Sequence, residues 1–485
     1  ALDFLVQRWE MTTVMGGRTA GPGYTDVHAR IPMLAILALT TVVVALVVLW
    51  AARERSWKLP VASVALLVAS SLVGLNLYPA LLQRFFVVPS EASREAPFIQ
   101  RGIDATRAAY GIDDVEVIPY DARTAATPSV LAEDRKSIPG IRLMDPSVIS
   151  PTVKQLQGIR NYYQFPDTLD VDRYEVDGAQ EEHVVAVREL DLDGISASQR
   201  NWVNDHTVYT HGFGMVALDS SEKSSKGEPV FTERNIPPTQ QLGPGEYEPR
   251  VYFGEFSPVY SIVGAPDDAE PRELDRPDGS ETGQANTTYQ GAGGVPVGNW
   301  INRFAYAVKY REGNFLLADA FNSESRLLDH RTPRERVERV APWLTLDGDA
   351  FPSVVDGRIV WIVDGYTTSS RYPYSETTNL EQATADGTTA SSANVANASG
   401  RVNYLRNSVK ATVDAYDGSV TLYAWDEEDP MLKAWQQAFP DTVKPRAEIG
   451  EELMSHLRYP QDLFKAQREM LQRYHVTTPG AFFGG

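Results

Sequence analysis

The stretch NWVNDHTVYTHGFG, residues 201–214, carries the side chains whose types are best suited to chemistry. Asp205, His206 and His211 offer the oxygen and nitrogen ligands that a zinc-like ion takes. The two histidines are five residues apart, so they would not share a helical face. A metal site here would need a loop and further ligands from elsewhere in the chain. The simpler interpretation is a pair of hydrogen-bonded core histidines next to aromatic residues.

Two further candidates, Asp26 and His28, precede the first long apolar run and would lie close to a membrane surface. A carboxylate and an imidazole in that position could titrate or bind a metal. Their other role would be to cap a helix or to lie in the interfacial layer, which needs no ligand. The sequence favours this second role and assigns no catalytic or metal-binding residue.

Acidic residues recur in short turns, and calcium takes several hard oxygen ligands of this kind. None of these turns follows the spacing of an EF-hand loop. The residues concerned are Asp170, Asp172 and Asp177; Asp191 and Asp193; Asp347 and Asp349; and Asp426 and Asp429. We expect plain Asx turns, in which the carboxylate accepts nearby backbone N–H groups. Calcium is nevertheless the one cofactor that the sequence leaves open.

Motifs for nucleotide binding and covalent catalysis are incomplete in this sequence. Residues 212–217 fit G-x-G-x-x-A, but no strand-to-helix context surrounds them as a dinucleotide site requires. The glycine-rich residues 289–300 lack the Lys-Ser/Thr of a P-loop, and we expect them to form a tight loop before a helix. The S-x-x-K match at 220–223 falls in a solvated stretch that could not preorganise a nucleophile. These patterns, and the lack of G-x-S-x-G and H-E-x-x-H, point away from an enzyme.

Composition sets the broad class of the protein. The sequence has 485 residues, enough for two or three domains. Its 45 Lys and Arg against 64 Asp and Glu give a formal net charge of −19, which argues against a nucleic-acid partner. Cysteine is absent, so neither disulfides nor thiolate metal sites are possible and an exported part must rely on its own core.

Two uncharged apolar runs, residues 31–50 and 60–82, dominate the N-terminal part. Each is long enough for a helix to cross the roughly 30 Å hydrocarbon layer. Their many β-branched residues would suggest strands, but in lipid only a helix satisfies the backbone hydrogen bonds of an isolated segment. We therefore predict a transmembrane helical hairpin. The alternative is a buried helical hairpin in a large soluble protein.

The orientation of this hairpin follows from the loop at residues 51–59. The loop contains Arg53, Arg55 and Lys58 with one glutamate, and positive charge in a short loop favours the cytoplasmic side. Both flanks of the hairpin are then extracytoplasmic. The predicted organisation is an outer segment at 1–30, the hairpin at 31–82 and a large extracytoplasmic region at 83–485.

Helix and strand patterns alternate in the large region without βαβ regularity, which indicates an α+β fold. Helices are predicted at 98–112, from Pro151, along an apolar stripe of Ile301, Phe304, Ala305 and Val308, and on either side of Pro460. Strands are predicted at 115–121, 169–176 and 183–190, and two Asp-Gly pairs, at 356–357 and 417–418, predict hairpins. Across the second turn Val409, Ala411 and Val413 should face Val420 and Leu422. Three solvated stretches are predicted to be mobile loops: 220–229, 266–283 and 377–400.

With these stretches in view, the sequence resembles the UPF0182 family, large bacterial membrane proteins of uncharacterised function. The resemblance rests on long stretches spread over nearly the whole chain, among them GYTDVHARIPML, NWVNDHTVYTHGFGMV, YQGAGGVPVGNW, DGRIVWIVDGYTTSSRYPYS and LRYPQDLFKAQREML. It implies several membrane helices ahead of Ala1 and further extracytoplasmic sequence after Gly485. The start at Ala1 without an initiator methionine agrees with a piece of a longer protein. The resemblance brings no established active site, so it implies no catalytic residue.

These observations predict a multi-pass plasma-membrane protein whose extracytoplasmic α+β region acts by binding, as a scaffold or subunit of a cell-envelope complex. Its hairpin would be the last helix pair of a larger membrane bundle. The expected partners are the lipid bilayer and proteins of the membrane or envelope. One alternative is an envelope metal-dependent hydrolase that uses Asp205, His206 and His211. The other is a transporter component, although two uncharged spans offer no intramembrane ionisable residue to mark a path.

Overall fold

The computed structural model describes residues 1–14, 17–54, 57–118, 127–129, 142–176, 178–243, 245–280, 283–385 and 400–484. The chain divides into two compact units. Unit 1 comprises Ala1–Ile118, Tyr366–Asn407 and Pro460–Gly485, and unit 2 comprises Pro119–Gly365 and Ser408–Tyr459. This division reflects contacts among the residues of each unit and not the predicted membrane topology. The boundaries inferred from membrane topology, at residues 30 and 82, stay a prediction.

The α-helices are distributed over both units. The α-helices are α1 (Leu2–Glu10), α2 (Ile31–Arg53), α3 (Lys58–Leu72), α4 (Tyr78–Leu82), α5 (Glu91–Ala109), α6 (Pro146–Gln157), α7 (Trp300–Tyr310), α8 (Asn314–Leu317), α9 (Pro333–Val340), α10 (Leu380–Thr384), α11 (Pro430–Ala438), α12 (Glu451–His456), α13 (Gln461–Tyr474) and α14 (Pro479–Gly484). One-turn π segments lie at Asp26–Arg30, Val73–Leu77, Gln83–Val87 and Asn204–Val208, and 3₁₀ turns lie at Val88–Ser90 and Arg446–Glu448.

The strands are mostly short. They are β1 (Tyr163–Gln164), β2 (Asp170–Val176), β3 (Ala179–Val187), β4 (Glu189–Leu190), β5 (Gly212–Phe213), β6 (Met215–Lys223), β7 (Pro229–Glu233), β8 (Arg250–Val251), β9 (Tyr260–Val263), β10 (Glu273–Pro277), β11 (Gln284–Thr287), β12 (Val295–Pro296), β13 (Arg326–Asp329), β14 (Thr345–Leu346), β15 (Phe351–Val355), β16 (Arg358–Ser369), β17 (Thr378–Asn379), β18 (Arg401–Val402), β19 (Tyr404–Asp414), β20 (Val420–Ala424) and β21 (Val443–Lys444).

The two apolar runs form long helical stretches. By length and composition, Asp26–Arg53 and Lys58–Ala109 are each able to cross a membrane. The stretches pack closely where Gly74 faces Met33, because a Cβ on this glycine would overlap Met33 Cγ. Residues 83–97, which lie between the second apolar run and the helix predicted at 98–112, are helical from end to end.

The core of unit 1 lies where α5 contacts α13 and α14. Its contacts are held by buried polar side chains as well as by apolar ones. Arg107 donates to the Tyr474 carbonyl (2.6 Å), and Gln467 donates to the Tyr110 carbonyl (2.9 Å). The Tyr110 hydroxyl donates to the Val402 carbonyl (3.1 Å), which ties this helix layer to β18.

Unit 2 is built around two sheets. One sheet has the order β2-β3-β6-β7 and is antiparallel throughout. The other has the order β14-β16-β19-β20-β21, with β15 also paired to β16. The largest hydrophobic cluster joins side chains from both sheets, among them Val185, Ala217, Val354 and Val409. The mixed α and β body predicted from the sequence is therefore confirmed.

Both predicted hairpins form. Asp356 and Gly357 have φ of 50° and 72° and connect Val355 directly to its partner Arg358, as a two-residue turn requires. In the second hairpin Val413 pairs with Val420 and Ala411 with Leu422, as predicted. Its turn covers residues 415–418 and is therefore longer than the Asp-Gly pair. A hydrogen bond from the Asp414 N–H to the Ser419 carbonyl closes this turn.

Two of the predicted elements differ from the structure, and a third agrees with it. The helix expected to open at Pro151 begins at Pro146, because the Asp145 side chain accepts the Ser147 N–H and caps it there. Residues 115–118 of the predicted strand have no regular structure, and 119–121 lie outside the described residues. The helices around Pro460 are confirmed as α12 and α13.

The stretches predicted to be solvated include ordered strands. Residues 220–229 contain the end of β6, a turn and the start of β7. Within 266–283, the side chains of Glu273, Leu274 and Asp275 are buried in β10. Of the stretch 377–400, residues 386–399 lie outside the described residues.

Candidate functional site

The residues predicted as metal ligands lie in and after the π segment Asn204–Val208. The Arg200 Nε–H is shared between the two carboxylate oxygens of Asp205, 2.9 Å from each, so this carboxylate already has a counter-charge. His206 Nδ1 lies 3.1 Å from the Tyr260 carbonyl, and its ring stacks on Tyr260 at 4.0 Å. Burial lowers the pKa of His206, because it disfavours the charged imidazolium.

His211 is fully buried and points into a different environment. Its Nδ1 lies 2.9 Å from Thr210 Oγ1, and its ring contacts Tyr252 at 4.4 Å. Across the described ranges, no group of three or more His, Asp or Glu side chains is arranged to hold a metal ion. Asp205, His206 and His211 therefore do not form such a group, and both histidines are hydrogen-bonded beside aromatic rings, as the simpler interpretation predicts.

A buried ionic network surrounds His211, and the sequence analysis missed it. Asp275 lies 2.6 Å from Arg250 Nε and 2.7 Å from Arg276, while His211 Nε2 is 3.7 Å away. Burial acts to raise the pKa of Asp275, but His211 and Arg250 beside it lower the value to about 2. The network lies in a stretch whose charged composition had suggested a solvated loop.

Glu273 and Arg331 extend this network through neutral partners. Glu273 accepts hydrogen bonds from the Tyr252 hydroxyl (2.8 Å) and the Thr210 hydroxyl (3.1 Å). Arg331 is almost completely buried and donates to Ser261 Oγ and to the Thr210 carbonyl, both at 2.6 Å. Because Glu273 and Arg331 both have several hydrogen-bond partners, this part of the network stabilises the fold.

A serine, an aspartate and a histidine also meet in unit 2. Ser353 Oγ donates to Asp172 Oδ2 (2.7 Å), and His456 Nδ1 lies 2.9 Å from the same oxygen. All three side chains are buried. In a catalytic triad the serine bonds to the histidine, whereas here both bond to the aspartate. This connectivity fixes the packing of β2 against β15 and α12 and does not activate the serine.

Most of the acidic turns are Asx turns, as expected. Asp191 Oδ1 accepts the N–H groups of Asp193 and Gly194, each at 3.1 Å. Asp347 accepts the Asp349 N–H at 2.9 Å. The remaining turn pair shows the same pattern: Asp426 accepts the Glu428 N–H, and Asp429 caps α11. Asp177 lies outside the described residues. Calcium at any of these turns stays a sequence-based prediction.

The glycine-rich motifs have structural roles. Residues 212–217 form β5 and the start of β6, so no helix follows the glycines as a dinucleotide site requires. Gly293 and Gly298 lie against the backbone carbonyls of Asp417 and Ser323, where a Cβ would overlap them. The loop at 289–300 then leads into α7, as predicted, with Asn299 accepting the Asn302 N–H at its start.

The apolar stripe predicted on α7 is exposed rather than buried. Trp300, Ile301, Phe304 and Val308, together with Leu317 of α8, have exposed fractions between 53% and 82%. The helix buries its other side, where Tyr306 and Tyr310 pack around the buried Phe315. We call these five exposed residues the α7–α8 apolar face. It is a candidate contact surface of unit 2.

A cavity of about 760 Å³ lies in unit 1 beside the two long helical stretches. The loop at 17–25 forms one side and α5 another. The charged and amide side chains of its lining define what we call the helix-pair cavity: Arg18, Asp26, Arg30, Asn76, Gln83, Glu91 and Glu95. Of the pair singled out in the sequence, Asp26 lines this cavity, whereas His28 stacks on Tyr24 at 4.0 Å.

Comparison with known proteins decides the family. A family model described as "Uncharacterised protein family (UPF0182)" matches residues 1–485. The chain belongs to the UPF0182 family. The resemblance seen in the sequence is therefore confirmed.

Curated UPF0182 proteins match this chain over nearly its whole length. A UPF0182 protein of Paenarthrobacter aurescens is 52% identical over 99% of this chain, and one of Kineococcus radiotolerans is 51% identical over 100% of it. The match covers 48% of each of these relatives, so the chain spans about half the length of the curated relatives that it matches. No solved structure matches the chain.

Proposed function

We propose that this UPF0182 chain is part of a multi-pass plasma-membrane protein whose large α+β region lies outside the cytoplasm and acts as a binding scaffold in a cell-envelope complex. The single observation that carries the binding role is the α7–α8 apolar face. An exposed apolar patch that is rimmed by polar residues is more often an interaction site than the rest of a protein surface is.

The membrane part of the proposal is supported by the side chains of the two long helical stretches. Leu39, Leu46, Leu66 and Leu72 remain more than 60% exposed. Leaving so much apolar surface in water is unfavourable, whereas a lipid environment covers it. The basic loop at 51–59 supports a cytoplasmic position for the connection between the stretches.

A protein partner suits the α7–α8 apolar face better than a lipid surface does. Trp, Phe and Arg are enriched in protein interfaces, and the face combines Trp300 and Phe304 with the neighbouring Arg303 and Arg311. The net charge of −19 opposes contact of the chain with anionic headgroups. We therefore assign the face to an envelope protein with a complementary apolar patch and an acidic rim.

Site-specific photocrosslinking in the full-length membrane protein tests this role. A photoreactive amino acid at Phe304 should trap one discrete protein partner in intact cells, whereas the same group at Glu338, an exposed position of α9, should not. Crosslinks from Phe304 only to lipid, to a second copy of the protein or to nothing would contradict the proposal.

The metal-dependent hydrolase is the alternative function. It would use Asp205, which is paired with Arg200, together with His206 and His211, whose Nδ1 atoms lie against different hydrogen-bond partners. Elemental analysis of the purified full-length protein, with and without His206→Ala and His211→Ala, discriminates the two functions. The binding scaffold predicts no change in metal content between these forms. A stoichiometric metal that either substitution removes would instead favour the hydrolase.

A further inference from the structure

We propose that the helix-pair cavity binds the ammonium group of a small amine-bearing ligand, with Glu95 as its charge partner. The amine belongs either to a free organic cation or to the headgroup of a membrane lipid. This inference rests on unit 1 alone and is independent of the scaffold role assigned to the α7–α8 apolar face.

The charges of the cavity lining leave one carboxylate without a counter-charge. Arg30 lies 2.7 Å from Asp26, and Arg18 lies 3.9 Å from Glu91. Glu95 accepts one backbone N–H of the covering loop, at 3.1 Å. Among the described residues, no Lys, Arg or His nitrogen lies within ion-pair distance of Glu95. An ammonium ligand would supply the missing positive charge and a charge-assisted hydrogen bond.

The backbone around the cavity is unusual in a way that points to a site. Three π segments supply lining residues: Asp26 and Arg30 come from the first, Asn76 from the second and Gln83 from the third. π segments are rare and lie frequently at functional sites. Within the described part of the chain the Asn76 side chain makes no hydrogen bond, so its carbonyl oxygen is free to accept one from an ammonium group.

The size and the apolar part of the lining define the ligand further. A volume of about 760 Å³ falls within the range of roughly 300–1,000 Å³ that is typical of small-molecule sites. Leu75, Pro79, Phe98 and Ile99 form an apolar wall beside the polar groups. A ligand with an apolar portion next to its amine therefore fits both kinds of surface.

Other ligand classes fit less well. An anion would face three carboxylates against two arginines. A bare divalent cation would need several carboxylates or histidines converging on one point, and the described residues contain no such group. A single positive charge on an organic group matches the one unpaired carboxylate.

Native mass spectrometry of the full-length protein in detergent tests the site. The probes are free ethanolamine and phosphatidylethanolamine, with phosphatidylglycerol as the lipid that lacks an amine. We expect the wild type to bind at least one amine probe, and Glu95→Gln to weaken that binding by about tenfold or more, because the charge-assisted bond is lost. The matched control is Asp104→Asn, an exposed carboxylate of the same helix whose partner is Gln100, and it should leave binding unchanged.

The outcomes separate the two sources of the amine. Binding of ethanolamine alone identifies a soluble ligand, and binding of phosphatidylethanolamine alone identifies a lipid headgroup. Failure of both probes to bind, or unchanged binding by a folded Glu95→Gln variant, would overturn the proposal. If Glu95→Gln does not fold, Glu95→Asp takes its place: it keeps the charge one methylene farther back, and a weakened affinity for the same probe is the supporting result. Unchanged affinity in Glu95→Asp would count against the site.

Discussion

Lys410 Nζ lies 2.5 Å from Asp364 Oδ1, and both side chains are almost completely buried. The same ammonium donates to the Arg458 carbonyl at 2.9 Å and lies 5.2 Å from the centre of the Trp425 ring. Lys410 is on β19 and Asp364 is on β16, so the ion pair joins two strands of the larger sheet. Burial of two charges is tolerated here because each has a close, hydrogen-bonded partner.

Removing only the Lys410 ammonium should therefore destabilise the folded protein. We predict that Lys410→Met lowers the free energy of unfolding by about 3–5 kcal/mol, because Asp364 loses its counter-charge in a buried position. Urea titration of the full-length protein, followed by tryptophan fluorescence, measures this change. The control is Lys433→Met, whose exposed pair with Glu428 is screened by solvent, so this substitution should leave stability nearly unchanged. Equal effects of the two substitutions would contradict the prediction.

Glu189 predicts a dependence of stability on pH. Both of its oxygens accept backbone N–H groups, from Glu255 at 3.0 Å and from Phe256 at 2.8 Å, and the side chain is buried. Burial raises the pKa of Glu189 to about 7, although the two hydrogen bonds act to lower it. Burial also raises the pKa of Glu255 to about 8, with a further contribution from the Glu189 carboxylate.

The direction of the effect follows from the raised pKa values. Below the ordinary glutamate pKa of 4.5 both the folded and the unfolded chain are protonated at Glu189, and its contribution is fully present. Between pH 4.5 and about 7 the unfolded chain ionises while the buried Glu189 keeps its proton, so stability falls across this range, by up to about 3 kcal/mol for this residue, and the loss is complete once the folded chain also ionises above about pH 7. We predict that Glu189→Gln flattens the decline of the urea midpoint between pH 5 and pH 8. An unchanged slope would rule out Glu189 as its source.

The sequence was sufficient where local pattern decides structure. Asp356 and Gly357 form the predicted turn because both positions need positive φ, which these residue types tolerate. The alternating Val409, Ala411 and Val413 pair as predicted because one face of β19 must be buried. The long apolar runs form helices because their length and lack of charge leave few alternatives.

Contacts between residues far apart in the sequence could not be predicted from local pattern. Composition could not distinguish a solvated acidic loop from β10, where the buried Asp275 is paired with Arg250, 25 residues earlier in the sequence. The apolar stripe of Ile301 and Phe304 predicted a helix but not which side of it the protein would bury. For the same reason, the spacing of His206 and His211 could not show that their nitrogens bond to different partners.

The contrast between exposed and buried phenylalanines of α7 and α8 gives a further prediction. Phe304→Ser should change the free energy of unfolding by no more than about 0.5 kcal/mol, because the ring is already exposed. Phe315→Ala should cost about 3–5 kcal/mol, because Phe315 is fully buried among Trp202, Tyr260 and Tyr310. Urea titration compares the two variants. A large loss in Phe304→Ser would show that this residue is covered within the protein and would remove the α7–α8 apolar face as a contact surface.

Membrane orientation can be measured directly, because this chain contains no cysteine and an introduced thiol is a unique reporter within it. Lys226→Cys, in the exposed turn between β6 and β7, should react with a membrane-impermeant maleimide on intact cells. Glu54→Cys, in the basic loop after α2, should react only after the membrane is permeabilised, since short basic loops remain in the cytoplasm. The parent protein without an introduced cysteine sets the background. Labelling of Glu54→Cys on intact cells, or protection of Lys226→Cys, would reverse the proposed topology and place the α+β region in the cytoplasm.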